Sequence, residues 1–332
     1  MNNWRRSSIR KWVILTLLTI LAAALSLSVG SVRVPLDQVM RALFGFETGT
    51  AQARIVIYTR LPRTCAALLA GSALAVSGAV IQSVLHNPLA SPGVMGVNSG
   101  AGLGVAILCA LSPVAQSWTP VAAFGGALAG VLLVLGLSEF TGASRMTVVL
   151  AGVAISNLFS AGIDGVVSMV PEALNGVSDF RIGGFSGVTM VRLAPAAVVI
   201  AVAMAGIFAM TVQLDVLALG SDTAKSLGMN VRLTRLILLV FAAALAGATV
   251  SFAGLLGFVG LIVPHGVRRI FGEESLPLLA GSALGGGCFV MLCDLEARTI
   301  FSPYELPVGV VLAFAGAPFF LWLLFRQRGG KA

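Results

Sequence analysis

Residues 234–253 read TRLILLVFAAALAGATVSFA. One charge, Arg235, stands at the second position, and the rest is apolar or small. A helix crosses the hydrocarbon core of a bilayer with about 20 such residues, so this stretch predicts one span. Comparable runs lie at 12–29, 61–84, 93–111, 121–139, 147–168, 193–213, 256–271, 276–297 and 306–325. Together they predict an all-α membrane protein, a polytopic bundle of about ten transmembrane helices. The run 256–271 is short and follows its neighbour closely, as a half-span would.

Composition points the same way. Of 332 residues, 58% are hydrophobic and 10% charged, with a mean hydropathy of +0.99. A soluble domain is about one-quarter charged. That excludes a soluble enzyme, a disordered chain and a nucleic-acid binder, and ten spans leave no room for a soluble catalytic domain. The net charge of +8 fits the gathering of Lys and Arg at cytoplasmic ends better than a nucleic-acid partner. Cys65, Cys109, Cys288 and Cys293 all sit in apolar runs. None has metal-site spacing with His86 or His265, so they read as packing residues, and no metal or cofactor is expected.

The N-terminus is basic at Arg5, Arg6, Arg10 and Lys11. A cleaved signal peptide is the rival reading of 12–29, but the chain that follows is itself membrane-like, which favours an uncleaved span. Residues 34–44 pattern as a short amphipathic helix on the membrane surface. Loop-like separators follow at His86-Asn87-Pro88, Ser112-Pro113, Thr141-Gly142, 171–191 and Ser302-Pro303-Tyr304. The tail is basic too, at Arg326, Arg328 and Lys331. Basic termini read as cytoplasmic, and two cytoplasmic termini require an even number of spans, which ten satisfies. Alternating the loops then places thirteen of the 21 basic residues inside. The outside cluster Arg54, Arg60 and Arg63 runs against that bias.

Small residues recur every four positions at Gly96, Gly100 and Gly104, and every three at Gly254, Gly257 and Gly260. Such stripes let helix backbones approach closely in lipid, which predicts tight packing within one bundle. A shift of 176 positions aligns Ala70, Gly71, Gly78, Pro88 and Gly96 with Ala246, Gly247, Gly254, Pro264 and Gly272, a weak internal repeat.

Charges within spans are costly and usually functional. Here they are scarce: Asp164 lies in the fifth run, and Asp294 and Glu296 near the end of the ninth. That is thin provision for a proton- or sodium-coupled carrier, and no nucleophile or metal constellation supports an enzyme. The energy for transport must then come from another subunit. A secondary transporter or channel is the alternative class, supported by the duplicated halves and Asp164.

The longest polar interruption, 213–232, holds two short helical turns at 216–219 and 222–227, closed by Gly220 and Gly228. Asp222 and Lys225 match the dipole of the second. A compact helix–Gly–helix with small exposed residues has the form of a docking knob for a soluble partner.

These residues carry a resemblance. Arg60-Leu61-Pro62-Arg63, the run from Gly71 to Gly78, Gln82, Asn87-Pro88-Leu89-Ala90-Ser91-Pro92-Gly93 and Gly96 resemble the FecCD-type permeases. So do Leu219-Gly220, Ser226-Leu227-Gly228, Gly257-Phe258-Val259-Gly260, Pro264-His265, Arg268, Asp294, Arg298, Glu305-Leu306-Pro307-Val308-Gly309 and Gly316-Ala317-Pro318-Phe319. The match runs from about Arg60 to the C-terminus in unbroken order, with 112–145 generic.

That family supplies the membrane subunits of ABC importers for iron–siderophores, haem and cobalamin. The resemblance therefore implies a type II ABC importer permease, one transmembrane domain over 1–332, in the cytoplasmic (inner) membrane of a bacterium. It implies an iron(III)–siderophore as substrate, with haem or cobalamin as alternatives. It implies a second permease subunit, identical or a sister chain, a cytoplasmic ABC ATPase dimer, an extracytoplasmic substrate-binding protein and membrane lipid as partners. The chain lacks a phosphate loop of the form G-x-x-x-x-G-K-[ST]. ATP hydrolysis is thus expected in the partner, and this chain is not an enzyme.

By the same resemblance, Arg60, Arg63 and Arg298 face acidic residues of the binding protein, with headgroup anchoring as the alternative. Ala218, Leu219, Gly220, Asp222, Ala224, Leu227 and Gly228 form the coupling helices within 214–232. Asn87 and Leu89 match positions that narrow the inner end of the path. Pro88 and Pro92 also forbid a continuous helix there, so a gate and simple loop geometry both stay open.

Overall fold

The computed structural model describes residues 2–30, 32–46, 49–112, 116–140 and 145–329. In chain order the α-helices are α1 (Asn2–Ser28), α2 (Leu36–Leu43), α3 (Ala51–Arg54), α4 (Leu61–Leu85), α5 (Val97–Leu111), α6 (Thr119–Phe140), α7 (Arg145–Met169) and α8 (Ala173–Ile182). They continue as α9 (Met190–Ala209), α10 (Thr211–Ala218), α11 (Ser221–Ser226), α12 (Val231–Ala253), α13 (Val259–Phe271), α14 (Ser275–Thr299) and α15 (Val308–Gly329). Each of the ten expected spans has its helix. Among the described residues, seven helices are long and apolar enough to cross a membrane, while Val97–Leu111 and Val308–Leu321 are shorter apolar helices. With 13 residues, α13 is the half-span its length suggested. The amphipathic helix is present as α2, with Val39 and Ala42 turned inward.

Four expectations need correction. The second span begins at Ala51, ten residues early, and runs unbroken to Leu85. A wider π-helical turn, Ile55–Arg60, precedes Pro62. Proline has no N–H to donate to the turn before it, and the wider turn carries the helix past that gap. The stretch 171–191 is not simply a separator. It holds α8, whose Ala173, Val177 and Phe180 form one buried face at helical spacing. Finally, Gly254, Gly257 and Gly260 share no helix face, because α12 ends at Ala253 and α13 begins at Val259. The 176-residue shift breaks down at the same place: Pro88 lies in a loop and Pro264 inside α13.

Close backbone approach builds the core. A methyl on Gly71 would overlap the Gly286 carbonyl, and one on Gly78 would overlap Gly260. This seats α4 against both α14 and α13. The stripe Gly96, Gly100 and Gly104 lies along Gly130, Gly126 and Ala122 of α6, as the tight-packing reading expects. Buried hydroxyls reinforce the central helix. Ser72 Oγ donates to the Ala283 carbonyl at 2.7 Å, and Ser77 Oγ to the Ala242 carbonyl at 2.6 Å. Phe258 opens α13 at φ +65°, a conformation that bulky residues rarely hold. Its ring occupies the space where Gly316 of α15 has no side chain.

The bundle has two distinct ends. At one, Arg60 meets the last carbonyls of α1, and the C-terminal turns of α14 lie beside the start of α4. At the other, Lys11 Nζ donates to the Ile270 carbonyl at 2.7 Å and Trp12 packs on Phe271, ring centroids 4.3 Å apart. That second end also holds α10, through the Asp215–Ser275 contact.

Candidate functional site

The arginine end is built from four chain segments. Arg60 Nη1 donates to the carbonyls of Leu27 and Ser28, each at 2.8 Å, and its Nη2 donates to the Val32 carbonyl. A guanidinium placed there satisfies carbonyls that the end of α1 leaves unpaired. Arg63 Nε donates to both carboxylate oxygens of Asp294, at 3.0 and 3.1 Å, and its Nη1 reaches Glu305 Oε2 at 2.6 Å. Arg298 pairs with the same aspartate, Nε to Oδ2 at 3.1 Å, and donates to Ser26 Oγ at 3.0 Å. Ser26 in turn shares a hydrogen bond with Thr64 at 2.7 Å.

The three arginines expected to face a partner are therefore brought together, and all three are buried, at 4%, 7% and 4% exposure for Arg60, Arg63 and Arg298. Their donors are directed to this chain's own oxygens. Asp294 has no exposure at all and is shared by two guanidinium groups, an arrangement that holds buried charge only when both signs are present. Arg33 and Arg54, near the same end, are exposed.

A cavity of about 570 Å3 opens beside this cluster. Arg63 and Glu305 form one wall, with Asp179, Arg192, Phe185 and Phe252 around it. It lies where the loop after α8, the end of α12 and the start of α15 converge. Such mixed walls, apolar with a few charged groups, suit a solute with both kinds of surface.

The opposite end carries the helix–Gly–helix. Asp215 Oδ1 accepts from the backbone N of Ser275 at 2.9 Å and so ties α10 to the start of α14. Arg235 Nη2 donates to Ser221 Oγ at 2.6 Å and ties α11 to α12. Asn230 caps α12 through Leu233 N at 3.1 Å. Gly220 and Gly228 take φ of +109° and +81°, with open space where a side chain would stand. Ala218, Leu219, Asp222, Leu227 and Gly228 are exposed, with Leu219 and Leu227 at 65% and 64%. Ala224 differs from the rest of that group: it is fully buried and faces the bundle.

At the segment 86–92, His86 ends α4 in the left-handed conformation at φ +49°. Asn87 Oδ1 accepts from Leu89 N at 3.0 Å. The Asn87 side chain thus closes a local turn, which is the loop-geometry reading of this pair. Leu89 is half-buried.

Some residues at these ends had no assigned role in the sequence. Buried Gln82 donates to the Gly260 carbonyl at 2.9 Å and accepts from Arg268 Nη1. Arg268 also reaches Ser83 Oγ at 3.4 Å. Gln82 and Arg268 both belong to the motifs of the resemblance, but 186 positions separate them, and no local pattern joins them. Glu305 is similar: its motif was visible, its partner Arg63 was not. Asp164, the charge noted in the fifth span, faces Arg181 at 3.9 Å.

Comparison with known proteins agrees with this architecture. The FecCD transport family model matches residues 17–326. The chain is 36% identical over 332 residues to the Fe(3+)-citrate import system permease protein YfmD of Bacillus subtilis, covering 98% of each. It is 37% identical over 296 residues to the hemin transport system permease protein HmuU of Yersinia pestis, covering 87% of this chain and 88% of that one. Its fold is similar to a solved chain described as an ABC transporter of metal-chelate type in an inward-facing conformation. There the TM-score is 0.82 at 27% identity, covering 96% of this chain and 99% of the other.

Proposed function

This chain belongs to the FecCD transport family, and from that premise we propose that it is the permease subunit of an ATP-driven ABC importer for an iron(III) chelate. The whole chain acts as one transmembrane domain. One structural relationship carries the reading. Asp215 grips Ser275 at the start of α14, and Arg63 grips Asp294 near its end. Nineteen residues of helix separate those two anchors, a rise of about 29 Å, close to the ~30 Å hydrocarbon thickness of a bilayer. The coupling knob and the arginine cluster therefore stand on opposite faces of the membrane.

The knob faces the cytoplasm and seats in an ABC ATPase, which supplies the ATP hydrolysis. Ala218, Leu219, Asp222, Leu227 and Gly228 form the contact, Gly220 and Gly228 set its shape, and Ala224 anchors it. Lys11 near the start of α1 lies at this end, and α15 runs toward it, so both termini are cytoplasmic. The arginine end faces outward and receives a substrate-binding protein. Arg60, Arg63 and Arg298 hold that surface in place and contribute a net positive field, while exposed Arg33 and Arg54 offer charge for direct contact. A second permease subunit completes the path. Asn87 and Leu89 border its inner end, with the Asn87 turn setting the loop.

Reconstitution tests this. The chain is placed in proteoliposomes with its ATPase and binding protein, and uptake of radioactive iron is followed from ferric citrate, a ferric hydroxamate and hemin. ATP-dependent accumulation of at least one is expected. Accumulation driven by an ion gradient without the ATPase would establish the secondary-transporter alternative instead.

A further inference from the structure

We infer that Arg181, Ser156, Ser160 and Asn98 form a subsite within the membrane that takes a carboxylate arm of the transported chelate. The inference rests on the importer reading above and adds the chemical class of the cargo.

A second cavity, of about 230 Å3, lies between the first turn of α5, the middle of α7 and the end of α8. Its walls include Asn98, Ser99, Ser156, Ser160 and Arg181. Ser156 and Ser160 stand nine and thirteen residues beyond Thr147, where the α7 span begins. At the helical rise this is about 14 and 20 Å along the span, near the middle of the bilayer. Two serines at that depth, in one cavity wall with an arginine and two further small polar side chains, need a physical reason.

One donor of the wall is unsatisfied in the way a ligand would satisfy. Among the described residues, the Ser156 Oγ is buried and has no hydrogen-bond partner. An orphan hydroxyl in a membrane interior costs stability unless something else binds it. Arg181 is held by Asp164 at 3.9 Å, too long for a close ion pair. Ser156, Ser160 and Asp164 follow at intervals of four and so line one face of α7. Asn98 and Ser99 lie in the first turn of α5, where the helix dipole favours negative charge.

These groups share one preference. A guanidinium fork matches the two oxygens of a carboxylate, and hydroxyls and an amide can rotate to donate to them. The volume admits one arm of a chelate, not the whole. Asp164 serves as a counter-ion when the site is empty and competes with the ligand when it is full. Binding is therefore weak enough for passage, as conduction through a path requires.

The test compares ferric citrate with a neutral ferric trihydroxamate in the same proteoliposomes. Arg181→Gln is expected to lower citrate-linked uptake about tenfold relative to the hydroxamate. Arg181→Lys is expected to recover part of it, and Ser156→Ala to lower it about threefold. Equal loss for both chelates marks a structural role and overturns the subsite, as does no loss for either. A wild-type complex that carries only the neutral chelate also overturns the subsite and leaves the importer reading standing. A wild-type complex that carries neither chelate nor hemin overturns the importer reading, and the subsite with it.

Discussion

Arg63 and Asp294 stand 231 positions apart in the chain, yet Nε of the one lies 3.0 Å from Oδ1 of the other. The pair joins the start of α4 to the end of α14, and Arg298 approaches the same carboxylate from the next turn. Removing the aspartate would leave two buried guanidinium groups facing each other.

Asp294→Ala is accordingly expected to destabilise the folded protein by about 3–5 kcal/mol. The thermal midpoint of detergent-purified protein reports this. A triple replacement, Arg63→Met and Arg298→Met with Asp294→Leu, should recover much of the loss, because it removes all three mutually paired charges together. An unchanged midpoint for Asp294→Ala contradicts the buried cluster.

Glycine contacts make a sharper comparison. A methyl at Gly78 meets the backbone of Gly260, whereas one at Gly266 of α13 meets nothing within 4 Å. Gly78→Ala should cost about 1–3 kcal/mol through overpacking. Gly266→Ala should be neutral or slightly stabilising, since alanine is the better helix former. Equal midpoints for the two variants would contradict the close crossing of α4 and α13.

Gly228 has room for a side chain but not the backbone angle for one, at φ +81°. Gly228→Val therefore reshapes the knob rather than the bundle. Uptake should fall more than tenfold while ATP hydrolysis by the assembled complex stays within about twofold, given the coupling role proposed and the steric cost of that conformation. Normal uptake by the variant would remove Gly228 from the coupling surface.

Gln82→Leu removes both the donor to the Gly260 carbonyl and the acceptor for Arg268. Leaving those buried groups unpaired should cost about 1–3 kcal/mol. Limited proteolysis near 254–272 should show the loosening first, because both lost contacts end on that segment. Protection equal to the wild type would show that other contacts hold α13.

Charge reversal at the exposed arginines beside the cluster tests the proposed docking without disturbing the buried residues. Arg33→Glu with Arg54→Glu should slow association of the binding protein about tenfold at low salt, with the difference shrinking as salt screens it. Association rates measured at two ionic strengths give the answer. No change at either strength would place the docking contact elsewhere.

The all-helical membrane bundle was legible because crossing a bilayer imposes a length and an apolar composition that any one segment displays by itself. The knob was legible too: Gly220, Gly228, Asp222 and Lys225 mark turns and helix ends locally. Other features were not. In 171–191 the glycines and scattered charges masked the short helical spacing of Ala173, Val177 and Phe180, and α8 forms because those residues find a buried face within the bundle. Pro62 looked like a start, but a π-helical turn carried the helix across it.

The arginines show the division most clearly. Sequence alone determined that Arg60, Arg63 and Arg298 lie at span ends, and that the chain is an α-helical membrane bundle of one family. Only the tertiary structure decided that these side chains turn inward, that Asp294 and Glu305 answer Arg63, and that Gln82 answers Arg268. The reason is physical. A span is set by the solvent each segment meets, which its own residues report. An ion pair across 231 residues is set by how glycine-lined helices approach, and that is a property of the packed bundle.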